Sequence, residues 1–255
     1  MISSLTEEKK ALIPIYLQKW HLVIHSSHGI NQDQVTNAIR VAYRLIHRKE
    51  PEIQFYPSPY TALLAFAPLE DAYCFFDTEI AGELEQKITA FFTKEINKQI
   101  ENNLRIFLWQ NLSFSWYFNI WNKLWDELKR RETLGEIGLL GEDWSLNAEP
   151  SGDLDGMRWA SFAPYFDFCF SVLKCSDGQA KLDGIELSFS GKKSSLPSRW
   201  NIFQDIAKNC GWFFPLDGLC LVSEKPKIYY DASKSNFSPD CDFKMIFPDG
   251  FTIES

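Results

Sequence analysis

Residues 202–226 read Ile202-Phe-Gln-Asp-Ile-Ala-Lys-Asn-Cys-Gly-Trp-Phe-Phe-Pro-Leu-Asp-Gly-Leu-Cys-Leu-Val-Ser-Glu-Lys-Pro226, and two structural periods meet inside them. From Ile202 to Lys208 the apolar residues recur at helical spacing, and Gly211 follows as a stop, where a left-handed backbone is commonly required. Trp212, Phe213 and Phe214 then deliver a large apolar mass before Pro215 sets the chain's direction. At least two of these rings are expected to lie buried between helices and sheet. Gly218 to Ser223 reads as a strand that Pro226 ends, and Lys227–Tyr230 begins another. A helix giving way to successive strands places the chain in the α+β class.

Downstream the β character continues. Lys244 to Phe247 is strand-like, Pro248-Asp249-Gly250 is a turn signature, and Phe251–Ile253 returns. Ile185 to Phe189 alternates between Asp183-Gly184 and Gly191, and residues 158–173 read as a buried helix. Upstream the chain is helical. Thr6 with Glu7 and Glu8 caps a helix reaching about Trp20, with a kink expected at Pro14. A second helix is predicted from Asp33 to about Arg48, and Ser58-Pro59 opens a short one through Phe66. Ile80, Leu84, Ile88, Phe91, Ile96, Ile100, Leu104 and Leu108 predict one long helix from about Glu79 to Trp109, followed by another over Trp116–Arg130. The expected architecture is a single domain, 1–255. A helix-rich N-terminal portion (1–134) and a connecting loop (135–157) precede a mixed α/β portion (158–255), whose smaller sheet is mainly antiparallel.

The chain has 255 residues, enough for a substantial core, and 21 Phe with nine Trp make aromatic packing its main resource. The formal net charge is −8 and the longest basic run is Lys129-Arg130-Arg131, which disfavours nucleic-acid binding. Six widely spaced cysteines (Cys74, Cys169, Cys175, Cys210, Cys220, Cys241) with no Cys-x-x-Cys pair predict unpaired thiols in a reducing compartment. No secretory leader is read at the N-terminus. Trp159 to Leu173, the most apolar stretch, is shorter than the ~20 residues a membrane span needs. The expectation is a soluble cytoplasmic protein that does not engage membranes.

Two segments and a closing block carry a family resemblance. Leu5-Thr-Glu-Glu-Lys-Lys-Ala-Leu-Ile-Pro-Ile-Tyr-Leu-Gln-Lys-Trp20 resembles the opening of DUF6745, an uncharacterised bacterial family found in cyanobacteria and actinobacteria. Cys210-Gly-Trp-Phe-Phe-Pro215 and Cys220-Leu-Val-Ser-Glu-Lys-Pro226 are similar to its Cys-Gly-Trp-Trp-x-Pro and Cys-x-x-Ser-Glu-Arg-Pro blocks. Phe247-Pro-Asp-Gly-Phe251 is similar to its terminal block. This chain departs from the pattern just before that block, with Ser238 in the place of a family histidine and Asp242-Phe243 in the place of Gly-Pro. The resemblance implies a fold unit and no established activity.

The chemical motifs are sparse. His21 and His25 share a helical face, with His28 nearby, but Leu22 stands where a zincin needs Glu. Cys210, Cys220 and Cys241 lack a fourth ligand, and Asp153-Leu-Asp155-Gly156 lacks the closing glutamate of a calcium loop. Neither a metal nor another cofactor is expected. Glycine-rich phosphate loops and a Gly-x-Ser-x-Gly elbow do not occur. Trp109, Phe114, Trp116, Tyr117, Phe118, Trp121 and Trp125 form a dense aromatic run, readable as core or as a partner-binding surface. The leading expectation is a binding or protein-interaction module, with Trp212, Asp249, Trp116 and Trp121 as candidate binding residues. The alternative is an enzyme of unknown class with its site at the helical–β junction.

Overall fold

The computed structural model describes residues 1–26, 29–66, 78–114, 154–176, 199–230 and 243–254, together with positions 123–124, 126–127, 130–131, 188–189 and 192–193. The strand expected from Ile185 begins outside these residues, as do the loop 135–153 and most of the helix expected over Trp116–Arg130.

The first expected helix is two elements. The side chain of Thr6 accepts from the Lys9 amide and caps α1 (Glu7–Lys10), the chain turns at Ala11 and Leu12, and α2 (Ile13–Ile24) begins with Pro14 in its first turn. Pro14 therefore starts a helix instead of kinking one, because its missing amide costs nothing among the first-turn amides. Next come α3 (Gln32–Leu45), capped by Asn31, and α4 (Pro59–Phe66), which follows Ser58 as read from the sequence.

The long helix expected over Glu79–Trp109 is three helices, α5 (Thr78–Lys87), α6 (Thr89–Asn97) and α7 (Asn102–Leu112). The helices divide at Ile88, whose φ of −115° and ψ of −77° are distorted from regular helical values, and again before Glu101, where Ile100 forms a parallel bridge to Ile2. The stripe survives the breaks. Ile80, Leu84, Ile88, Ile96, Ile100, Leu104 and Leu108 are all buried, and Phe92 goes inward where Phe91 was expected. Periodicity identified the buried face and was blind to the bends between segments.

Helix α8 (Gly156–Ser171) runs through the centre, buried at every position from Trp159 to Cys169, and packs on α2, α7 and α9 (Arg199–Asn209). A helix apolar on all sides belongs in a core. Around it Phe92, Phe166, Phe170, Trp200 and Phe203 meet mainly edge-to-face, with Trp159 stacked on Phe203 at 5.2 Å. Such pairs add about 0.5–1.5 kcal/mol each beyond area burial.

The main sheet has the order β1-β6-β5-β2, from β1 (Glu52–Tyr56), β2 (Leu154–Asp155), β5 (Trp212–Leu216) and β6 (Leu219–Ser223). β1 is parallel to β6, while the β2–β5 and β5–β6 pairs are antiparallel. A short hairpin pairs β3 (Ser188–Phe189) with β4 (Lys192–Lys193), and a second antiparallel sheet holds β7 (Lys227–Tyr230), β8 (Phe243–Ile246) and β9 (Thr252–Glu254). The α+β class and the mainly antiparallel C-terminal strands stand. Four strands escape the sequence reading. β1 lies within the segment expected to be helical, β2 within the segment 135–157 expected to be a connecting loop, β4 follows Gly191, where no strand was expected, and β5 begins at Trp212, where only an apolar plug was expected.

Gly211 is required for a different reason from the one its position predicts. Its φ is not in the left-handed region, which among the described glycines holds Gly218 (φ 74°) and Gly250 (φ 85°). A Cβ on Gly211 would instead lie 2.2 Å from the Glu224 carbonyl oxygen, because its amide donates to the Ser223 carbonyl at 3.0 Å. The close approach of two backbones, and not a helix cap, selects glycine there.

Candidate functional site

At the end of the main sheet, where β1 and β6 both finish, the closing block of the chain docks onto the start of α4. Ser58 is fully buried and accepts the Thr61 amide at 3.1 Å as the helix cap. The Ser58 hydroxyl donates to Asp249 Oδ2 at 2.5 Å, and Asp249 Oδ1 accepts the Phe251 amide at 3.0 Å. A carboxylate at a helix N-terminus is electrostatically favoured. Tyr60 stacks on Phe251 at 5.2 Å, with the Arg131 guanidinium 4.8 Å from the Tyr60 centroid and 5.0 Å from that of Phe251.

Trp212 and Asp249 are thus brought to one junction, linked through Phe247, whose ring lies 5.7 Å from Trp212 and 5.6 Å from Phe251. Their situations differ. Asp249 is exposed on its turn, whereas Trp212 has no accessible surface and cannot form the rim of an open site. Phe213 and Phe214 are buried with it, so the block packs as structure. The Trp212 amide donates to Ser223 Oγ, but its indole Nε1 finds no acceptor among the described residues. Trp116 and Trp121, the other two candidates, lie outside the described residues, as do His28, Cys74, Cys241 and Ser238.

Polar groups elsewhere are tied into packing. Asp167, buried in α8, accepts from Trp20 Nε1 at 2.9 Å, Lys19 Nζ at 2.6 Å and Ser171 Oγ at 2.9 Å. Buried Lys225 donates to the carbonyls of Ala207 (2.9 Å) and Val23 (3.3 Å), joining the C-terminal turns of α9 and α2. A cation suits that end of a helix. His21 and His25 lie 4.2 Å apart by ring centroid. Burial lowers the pKa of both, and with His21 beside it His25 falls to about 4.

The thiols of Cys169, Cys175, Cys210 and Cys220 are buried and none is in a disulfide. Burial pushes Cys169 and Cys220 well above the usual thiol range, with Cys175 and Cys210 respectively adding to the effect. Thiols so placed are protonated and poor nucleophiles or metal ligands. Among the described residues no group of three His, Cys, Asp or Glu is arranged to hold a metal ion. No described helix is long and apolar enough to cross a membrane.

Two neighbouring helices depart from this pattern. Helix α2 exposes Ile15 (58%) and Leu22 (61%), and α7, packed beside it, exposes Ile106 (46%), Phe107 (41%) and Trp109 (37%). Single exposed apolar residues are ordinary. Concentration is not, and five of the seven large apolar side chains exposed among the described residues lie on these two helices. Both helices also keep an inward face, Trp20 and Ile24 on α2 and Leu104, Leu108 and Leu112 on α7. Trp109 is anchored from below, stacked on Phe162 at 5.4 Å and edge-on to Tyr165 at 5.2 Å. The sequence reading named Trp109 but passed over Ile15, Leu22, Ile106 and Phe107. Their signal was available as apolar residues in excess of the stripe that each helix needs for burial. No protein-family model, curated protein or solved structure matches this chain.

Proposed function

We propose that the chain is a cytoplasmic protein-interaction module of the DUF6745-like family that its sequence resembles, and that it docks a partner through the exposed apolar side chains of α2 and α7. The observation that carries the reading is the gathering of Ile15, Leu22, Ile106, Phe107 and Trp109 on two neighbouring helices. Groups of this kind mark interaction surfaces in water-soluble proteins, and a ring already fixed by its neighbours, as Trp109 is, loses little entropy on binding. The enzyme alternative at the sheet-end junction has less behind it. The hydroxyl that Asp249 holds belongs to Ser58, which is fully buried and serves as a helix cap.

Capture from a lysate of the source cells, comparing the wild-type chain with a Leu22→Ser/Phe107→Ser variant, tests the reading. Both residues are exposed, so the variant is expected to keep the wild-type denaturation midpoint and to lose a specific, stoichiometric partner. Identical captured proteins from both chains would contradict it.

A further inference from the structure

Among the described helices, α2 and α7 are the two whose charged residues are all basic. Ile13–Ile24 carries Lys19 and no carboxylate, and Asn102–Leu112 carries Arg105 and no carboxylate. This occurs in a chain with 34 Asp and Glu against 26 Lys and Arg. Arg105 Nη2 donates to Asn102 Oδ1 at 2.5 Å, and Arg105 pairs with no carboxylate among the described residues. Lys19 is bound to Asp167 on one side yet keeps 49% of its side chain exposed, leaving ammonium protons for a second acceptor. Among the described residues Asp167 of α8 holds Lys19 from below, and the other acids beside these two helices precede them in the chain. Glu7, paired with Lys10, and Glu8 precede α2, while Glu101 precedes α7.

Resting on the docking reading above, we propose that the partner segment is an acidic amphipathic helix, with apolar residues on one side flanked by Asp or Glu. Ile15 and Leu22 stand seven residues apart on α2, roughly 10 Å along its axis, which matches two turns of a docked helix. The carboxylates of such a segment meet Arg105, which no described carboxylate neutralises, and the exposed side of Lys19, whose other side Asp167 already holds, and neither helix carries an acidic side chain of its own. A basic segment would gain the same apolar contacts but would set its charges against these two cations.

Two short fluorescent amphipathic peptides with the same apolar face, one flanked by Glu and one by Lys, test this by anisotropy titration against the full chain. The Glu peptide is expected to bind at least tenfold more tightly at low salt, to weaken as salt rises, and to lose most of its advantage against Arg105→Glu. Leu22→Ser/Phe107→Ser is expected to weaken both peptides. Equal binding of the two peptides, insensitive to Arg105→Glu, would overturn the acidic partner while leaving the docking face standing. Binding of phosphatidylserine vesicles with no binding of either peptide would overturn it in favour of a lipid surface. Failure of both peptides and vesicles would overturn the docking reading as well.

Discussion

The buried hydroxyl of Ser58 donates to Asp249 across a separation of 191 residues, at 2.5 Å, so that the last turn of the chain supplies the carboxylate at the N-terminus of an early helix. This bond and the stacking of Tyr60 on Phe251 fasten the second sheet to the end of the first. Ser58→Ala removes the cap and the donor to Asp249, and is expected to cost about 1–2 kcal/mol. Asp249→Asn is expected to cost less, since an amide oxygen still accepts from the hydroxyl. A double-mutant cycle in urea checks the coupling, and strictly additive losses would show that the two side chains do not interact.

Gly211 and Gly218 make opposite demands and give a paired prediction. Gly211→Ala places a methyl group against the Glu224 carbonyl and forces β5 and β6 apart, so the variant should be grossly destabilised or fail to fold. Gly218→Ala meets open space and bears only the strain of a positive φ, about 1–2 kcal/mol. Denaturation midpoints rank the two, and similar losses would contradict the assignment.

How far the sequence could be read follows from which forces are local. The cap at Ser58, the turn at Asp249-Gly250 and the buried stripe from Ile80 to Leu108 were legible, because each depends on residues close in the chain. β1 was not, because Glu52–Tyr56 becomes a strand by pairing with Leu219–Ser223, far away in sequence. Gly211 was recognised as special for the wrong reason, since the atom that excludes a side chain belongs to Glu224. Exposure was the least legible property. The stripe places Leu108 inside, but nothing in it tells that Phe107, its neighbour of similar hydrophobicity, stays exposed.

Trp212 carries the prediction with the clearest sign. Truncation to Ala is expected to cost about 3–5 kcal/mol, as for other large buried rings. Trp212→Phe keeps most of the packing and removes an indole N–H that has no acceptor among the described residues, a group that costs about 1–3 kcal/mol to bury unpaired. It should therefore cost less than half as much as Ala. Equal losses for Phe and Ala would mean that the N–H is bonded in solution.

Acid should weaken the fold through the histidine pair. In the unfolded chain His25 binds a proton near pH 6.5, whereas burial and His21 lower its pKa to about 4 in the folded protein. Between these values the unfolded state holds more protons, so stability is full above about pH 6.5 and falls as the pH drops toward 4. His25→Gln should flatten this dependence, as read from urea midpoints at pH 7 and pH 5. A wild-type midpoint insensitive to pH, or a slope unchanged in the variant, would remove His25 from the account.

The interaction surface on α2 and α7 is tested most directly by photo-crosslinking in the source cells, with a photoreactive phenylalanine analogue at position 107 and, as control, at the exposed loop position Asp217. One dominant protein adduct is expected from position 107, absent from position 217 and lost when Leu22→Ser is added. Adducts that are absent at 107, or the same from both positions, would contradict it.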